Sequence, residues 1–291
     1  MDTLALVFAI AAMLSWALNL LLMKVGVDRM DWIGFGMLRP WMSLPFVALF
    51  AWLTGGFTFG SIHLVLIGIG GGLLNAVFGT ACYYYALSKE SMHKVNILAN
   101  TNPFWGVVSS ILFLHEPARA VTFGAGALVL GGTFFLVRRG NDATQRRSLV
   151  GSFSALVAGA AWGFSSTVPT KICLSGGMSP IAYQLLFTSS AAVGWTLVAL
   201  PRLRAGRLHM GRKDLWVAFG SSMFGMFIGW VFWLLALDRA NASVLSPLIS
   251  LTLLFAGILG VVVLKERVTR RILVGGALVI AGVVLVSVLG N

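Results

Sequence analysis

The polar residues that could do chemistry in this chain sit inside long apolar runs, and they are amides, hydroxyls and indoles rather than acids or imidazoles. Asn96, Asn100, Thr101, Asn102 and Pro103 fall within one apolar stretch, with Trp105 just beyond. Asn96 and Asn100, four residues apart, share a helix face. Pro103 has no N–H, so the bond to residue 99 is lost and backbone polar groups are freed. In an apolar segment such groups must face protein or a wet cavity. Trp16 and Asn19 share a second face, and Trp162 and Ser165 hold the corresponding places in the second half. Asn75, Gly79 and Tyr83 form a third stripe, echoed by Gly225, Gly229 and Trp233, with Trp230 corresponding to Thr80. Aromatic walls with a few hydrogen-bonding groups suit reversible binding of a small neutral or zwitterionic solute.

Covalent chemistry has little support. Gly163-Phe164-Ser165 has the look of a nucleophile turn, but no histidine lies in an apolar run to act as base. No His/Cys/Asp/Glu grouping has metal-ligand spacing, so neither a metal nor another cofactor is expected. Cys82 and Cys173 read as small apolar residues. The nine acidic residues all lie in loops or near the ends of the apolar runs, so no carboxylate at mid-depth is available for a proton relay.

Elements able to position these residues must cross a membrane. Of 291 residues, 58% are hydrophobic and 10% charged, against about 25% charged in a soluble domain. Ten apolar segments are expected at 4–23, 32–53, 62–87, 94–114, 119–137, 149–170, 178–200, 214–237, 242–264 and 271–289. Each is long enough to span about 30 Å of hydrocarbon as a helix. The fold expected is an all-α polytopic membrane protein with short connections and no appended soluble domain. The first segment, preceded by Met1-Asp2-Thr3, lacks the basic flank of a signal peptide.

The net charge of +12 would suggest a nucleic-acid partner in a soluble protein. Here 17 of the 21 Lys and Arg residues fall in one alternate set of loops. Only Arg119, Lys171 and Arg239 fall in the other, and Arg39 lies within the second segment. That division orients the chain by the positive-inside rule, with both termini outside the cytoplasm, and removes the reason to expect nucleic acid. The partners expected are the bilayer and a small solute, with a monomer sufficient.

The second half echoes the first at an offset of 150, through Gly70/Gly220, Gly79/Gly229, Glu116/Glu266 and the Gly-Ala-Leu-Val run at 126–129 and 276–279. Five spans per repeat is odd, so residues 148–291 should cross in the opposite sense to residues 1–147. The pairs Gly68/Gly72, Gly159/Gly163 and Gly225/Gly229 suit close helix contact. Glu116, before Pro117, and Glu266 read as carboxylates at helix N-termini. Arg39 reads as snorkelling or as bound to carbonyls, without substrate contact.

The stretches "FGMLRPWMSLPF" around Arg39, "NPFWGVVSSILFLHEP" ending beyond Glu116 and "LLFAGILGVVVLKERVTRRILVGGALVIAGVVLV" resemble the EamA-type members of the drug/metabolite transporter superfamily. Two departures stand out: Leu253 occupies the second proline slot, with Pro247 six residues earlier, and Gln184 stands where Arg39's counterpart should be. The resemblance implies ten spans in two inverted five-helix repeats, a cavity lined by spans 1, 3, 4, 6, 8 and 9, and transport by alternating access. Within the family the chain is most similar to bacterial inner-membrane exporters of aromatic and other neutral amino acids. A proton-coupled multidrug or metabolite antiporter is the alternative. The residues expected to meet the solute are Trp16, Asn19, Asn75, Tyr83, Asn100, Trp105, Trp162, Ser165 and Trp230.

Overall fold

The computed structural model describes residues 2–90, 92–117, 120–137, 148–206, 211–264 and 270–289. Among these every regular element is helical. The first two are α1 (Thr3–Arg29) and α2 (Trp32–Thr54). Each opens on an aspartate, Asp2 or Asp31, whose carboxylate accepts from a backbone N–H of the first turn. The next helix is continuous but widened in the middle: α3 (Ile62–Gly72), a π segment (Leu73–Gly79) and α4 (Thr80–Lys89).

The expected disruption at Pro103 is present. α5 (Met92–Ala99) ends and α6 (Asn102–Leu114) begins with Pro103 in its first turn. Beyond lie α7 (Ala120–Val137), α8 (Leu149–Ser175) and α9 (Pro180–Arg204). A second widened helix comprises α10 (Arg212–Ser222), a π segment (Met223–Ile228) and α11 (Gly229–Arg239). A second broken one comprises α12 (Ala242–Leu245), a 3₁₀ turn (Ser246–Ser250) carrying Pro247, and α13 (Leu251–Leu264). The last element is α14 (Arg270–Leu289). The two π segments start 150 residues apart, the offset of the sequence echoes.

Six of these helical stretches are long and apolar enough to cross a membrane: Thr3–Met23, Trp32–Thr54, Ile62–Leu87, Leu149–Ser175, Pro180–Arg204 and Arg212–Arg239. Shorter apolar helices occupy Asn102–Leu114, Ala120–Gly132, Ala242–Ala256 and Val274–Leu285. The outer surface carries large apolar side chains, among them Trp52, Leu53, Ile62, Phe153 and Leu197. Water would not tolerate that surface, and lipid requires it. The chain is a multi-pass membrane protein. The expected boundary at 147–148, both chain ends and Glu266 fall at or beyond the edges of the described residues.

Glycine sets how closely these helices approach. A Cβ on Gly159 would lie 2.7 Å from the carbonyl oxygen of Ala99, one of the carbonyls beside the α5–α6 break. A Cβ on Gly163 would collide with the carbonyl of Asn102 and sit 2.8 Å from the nitrogen of Gly106. α7 and α14 lie against each other in the same way: a Cβ on Gly132 would be 2.6 Å from the carbonyl oxygen of Gly275, and one on Gly282 2.8 Å from that of Ala125. These are small-residue contacts between backbones, expected from the GxxxG spacing for Gly159 and Gly163 and made at Gly132 and Gly282 without it.

Side-chain and backbone bonds tie the bundle at both ends. At one end Arg202 pairs with Asp31, and Glu90 accepts from Ser148 N (2.7 Å) and Ser152 Oγ (2.9 Å). At the other, Ser179 Oγ donates to the Gly56 carbonyl (2.7 Å) and its N–H to that of Thr58 (2.9 Å). Glu116 also acts there, on a helix other than the expected one. α6 ends at His115, whose φ of 53° is the left-handed turn typical of a helix C-terminus. The turn carries Glu116 across to α12, where its oxygens accept from Ala242 N (2.9 Å) and Ser243 N (2.8 Å). It is an N-terminal carboxylate as expected, here of α12, a helix far along the chain.

Candidate functional site

A cavity of about 470 Å³ lies within the bundle. Its lining comes from the second half of α1, the first third of α2, the π segment and α4, the α5–α6 break, the middle of α8, α9, the second π segment with α11, and the 3₁₀ turn with α13. It therefore runs from the middle of the bundle toward the end held by Arg202–Asp31 and Glu90. The lining spans expected from the sequence all contribute, and two unexpected helices, α2 and α9, add Gly36, Arg39, Phe187 and Trp195.

The π segments build the aromatic walls. A widened turn opens the helix's bonding ladder, and its carbonyls accept from side chains of neighbouring helices. Trp162 Nε1 of α8 donates to the carbonyl of Asn75 (3.1 Å), and Trp16 Nε1 of α1 to that of Gly225 (3.2 Å). Asn75 and Gly225 are themselves 150 residues apart. Trp195 Nε1 donates to the carbonyl of Ala76. Each indole is thus held by its nitrogen and offers its ring. Tyr83 stacks near Trp162 with centroids 5.1 Å apart, Trp16 meets Trp230 edge-on at 5.9 Å, and Phe187 lies 4.1 Å from Trp230.

Amides occupy the gaps. Tyr83 Oη donates to Asn96 Oδ1 (2.7 Å), Asn100 Nδ2 to the Asn96 carbonyl (2.7 Å) and Asn75 Nδ2 to Ser165 Oγ (2.8 Å). Of the nine residues expected to meet a solute, Trp16, Asn19, Asn75, Tyr83, Asn100, Trp162 and Trp230 all line this one cavity. Ser165 does not reach it. It is fully buried behind Asn75 and orients that amide.

Trp105 is placed elsewhere. It is 37% exposed on the outside of α6, its Nε1 donating to Thr101 Oγ1 (3.2 Å). The buried face of α6 runs through Pro103, Gly106, Val107 and Ser110. Trp105 is one residue back from Gly106 and so about 100° round the helix. Of the tyrosine run, Tyr83 and Tyr84 are buried and only Tyr85 is outward, 40% exposed beneath Lys89.

Arg39 corrects the sequence reading most. A snorkelling arginine would leave the interior, whereas Arg39 is 8% exposed and lines the cavity. It belongs to the buried stripe of α2 made by Gly36, Pro40, Ser43, Val47 and Ala51, a rotation that the local sequence does not mark. Its Nη2 donates to Asn19 Oδ1 (3.2 Å) and its guanidinium lies 5.6 Å from the Phe35 ring. Gln184, its counterpart by sequence, is buried outside the lining and donates to the Met226 carbonyl. The two halves do not line the cavity alike.

Beyond the cavity the bundle is closed. Ser109 and Thr167 share a hydrogen bond (3.2 Å), and a Cβ on Gly106 would lie 2.6 Å from Ser246 Oγ. Above that layer Glu116 holds the start of α12, and Lys171 Nζ donates to the carbonyls of Leu237 (2.6 Å) and Ala240 (2.9 Å). A cation at one helix's C-terminus and an anion at the next one's N-terminus brace a single turn. Among the described residues no group of three or more His, Cys, Asp or Glu could hold a metal, and Cys82 and Cys173 are free thiols.

Comparison with known proteins assigns this architecture. The chain is 37% identical over 89 residues to the probable 4-amino-4-deoxy-L-arabinose-phosphoundecaprenol flippase subunit ArnE of Pseudomonas fluorescens, a stretch covering 31% of this chain and 68% of that protein. A crystal structure only 15% identical in sequence superposes on 99% of this chain and 98% of its own at a TM-score of 0.82, a likeness of fold. The sequence pattern of the EamA-like transporter family matches residues 3–138 and again residues 149–288. On that double match the chain belongs to the EamA-like transporter family.

Proposed function

We propose that the protein carries amino acids, aromatic and other neutral ones, or similar small metabolites out of a bacterial cell through the inner membrane by alternating access. The observation that carries this reading is the cavity itself. Its about 470 Å³ lies in the range of small-molecule sites, about 300–1,000 Å³. Its walls are indole and phenol rings interrupted by amides and by Arg39, and among the described residues no carboxylate or imidazole lines it. A solute with an apolar body and a polar end fits such a wall. An uncoupled, downhill carrier needs no buried proton acceptor.

The architecture proposed with it is ten spans in two inverted repeats, residues 1–147 and 148–291. The double family match, the π segments 150 residues apart and the Trp16–Gly225 and Trp162–Asn75 bonds support that duplication. In this reading the end of the bundle nearest the cavity faces the cytoplasm, because the connections there carry most of the lysine and arginine. Both termini then lie outside.

Counterflow of labelled amino acids in proteoliposomes tests the function. Exchange without an imposed ion gradient is the expected result. Uptake only under a pH gradient would favour a proton-coupled antiporter. ArnE's name gives a second reading, movement of a lipid-linked amino sugar, which transfer of such a lipid between leaflets would reveal. A reporter fused after Asn291 tests the topology, and a cytoplasmic signal would overturn it.

A further inference from the structure

The cavity holds a buried positive charge that no carboxylate among the described residues pairs with. Arg39 is more than nine-tenths buried, and its Nε has no hydrogen-bond partner. Its Nη2 donates to Asn19 Oδ1, an oxygen that also accepts from Ser221 Oγ (2.7 Å). The nearest ring, Phe35, offers a cation–π contact and no counter-charge. Among the described residues the partly buried carboxylates are engaged elsewhere: Asp31 with Arg202, Glu90 with Ser148 and Ser152, and Glu116 with the start of α12. An ionised group inside a membrane protein without a partner is costly, and arginine keeps its proton there. The missing partner is then something that enters the cavity.

The surroundings say what kind of partner. A Cβ on Gly225 would fall 2.6 Å from Arg39 Nη2, so the guanidinium packs directly against the second π segment, where glycine leaves room for it. The Tyr84 hydroxyl, buried in the lining of the same cavity, interacts with the Arg39 guanidinium itself and with no other described side chain. A planar guanidinium with an unpaired Nε–H and a hydroxyl at its side matches a group with two anionic oxygens. Across the lining, at the α5–α6 break, the buried Asn102 Oδ1 is an acceptor without a donor. The cavity lining therefore carries an unsatisfied cationic donor on α2 and, on α6, an unsatisfied acceptor, opposite polarities that a zwitterion also has.

We propose that Arg39 is the specificity-determining residue of the cavity, binding the substrate's carboxylate through its guanidinium with the Tyr84 hydroxyl beside it. This rests on the amino-acid transport reading and deepens it, since a carrier with this site selects for the carboxylate before the side chain.

The test uses full-length protein in proteoliposomes, phenylalanine counterflow, and three competitors: 3-phenylpropionate, which lacks the amine, phenethylamine, which lacks the carboxylate, and phenyl phosphate. Wild-type exchange should be inhibited by 3-phenylpropionate at least 10-fold more strongly than by phenethylamine. Arg39→Gln should raise the KM for phenylalanine about 10- to 100-fold, the range for losing a hydrogen bond to a charged group. It should also abolish the preference between the first two competitors. Arg39→Lys, which keeps the charge but not the fork, should restore that preference in part. A wild-type KM or an unchanged preference in Arg39→Gln overturns the assignment, as does stronger inhibition by phenyl phosphate than by 3-phenylpropionate. If Arg39→Gln does not fold, Arg39→Lys and Tyr84→Phe take its place, and wild-type KM in both overturns it equally. Absence of any wild-type phenylalanine exchange sinks the transport reading instead. In that event thermal stabilisation of the purified protein by 3-phenylpropionate but not phenethylamine still supports the Arg39 site, and no difference between them overturns it.

Discussion

Glu116→Ala should open the end of the bundle that the structure shows closed. The side chain makes two bonds to the first N–H groups of α12, at 2.9 and 2.8 Å, and nothing in alanine replaces them. A hydrogen bond to a charged group contributes about 1.5–3 kcal/mol. The freed N–H groups belong to Ala242 and Ser243, both buried, so two donors are left without an acceptor and the loss for both together is at least about 2–3 kcal/mol. If the contact exists only in the closed arrangement, the open population rises about 30- to 150-fold. Glu116→Gln keeps one acceptor oxygen and should give about half that free energy. The readout is the thiol reactivity of Ser246→Cys in a background lacking Cys82 and Cys173. Ser246 is fully buried one turn below the cap, its Oγ donating to the Ala242 carbonyl (2.6 Å). Methanethiosulfonate should label that cysteine at least 10-fold faster with Glu116→Ala than with Glu116. Equal labelling rates, in a variant that stays monodisperse, would refute the reasoning that this contact holds the end shut.

Gly163→Ala should lower the melting temperature by the equivalent of about 1–3 kcal/mol, because the new methyl meets the backbone of Asn102 and Gly106, which cannot yield as a flexible side chain would. Gly70→Ala, with no atom within 4 Å of the new methyl, should leave it unchanged or raise it. A small maleimide should reach the fully buried Cys173 only on unfolding, read as labelling of native against denatured protein.

Much of the helical framework can be read from the sequence because lipid leaves the backbone one option. A run such as 180–204 has to be helical once it is apolar and long enough. The break near Asn100 is equally legible: proline cannot donate, and Pro103 sits where the bond to residue 99 would form. The break at 246–250 follows from Pro247 by the same chemistry, six residues before the expected slot. Neither π segment leaves such a mark. Residues 73–79 and 223–228 are ordinary apolar stretches, and their widening follows from tertiary contacts such as the indole donors they accept. Arg39 and Trp105 fail to reveal themselves for a related reason. Periodicity says which residues share a face, but which face looks inward depends on how α2 rotates against α9 and how the break at Asn100–Thr101 turns α6.

Trp16 and Trp162 carry two roles that can be separated. Each closes an opened helix ladder through its Nε1 and offers its ring to the cavity. Replacement by phenylalanine removes the donor but keeps a ring, and replacement by alanine removes both. A buried carbonyl that loses its donor costs about 1–3 kcal/mol. Trp162→Phe should therefore lower the melting temperature while a solute that needs only an aromatic wall still exchanges. Thr80 Oγ1 also donates to the Asn75 carbonyl (3.3 Å), so the loss at Trp162 should fall at the lower end of that range. Gly225 has no such second donor among the described side chains, and Trp16→Phe should destabilise more. Trp162→Ala should lose exchange as well as stability. If Trp162→Phe and Trp162→Ala lower exchange alike at equal melting temperatures, the indole nitrogen rather than the ring is what transport uses, and the π segment's carbonyl becomes part of the moving machinery instead of its frame.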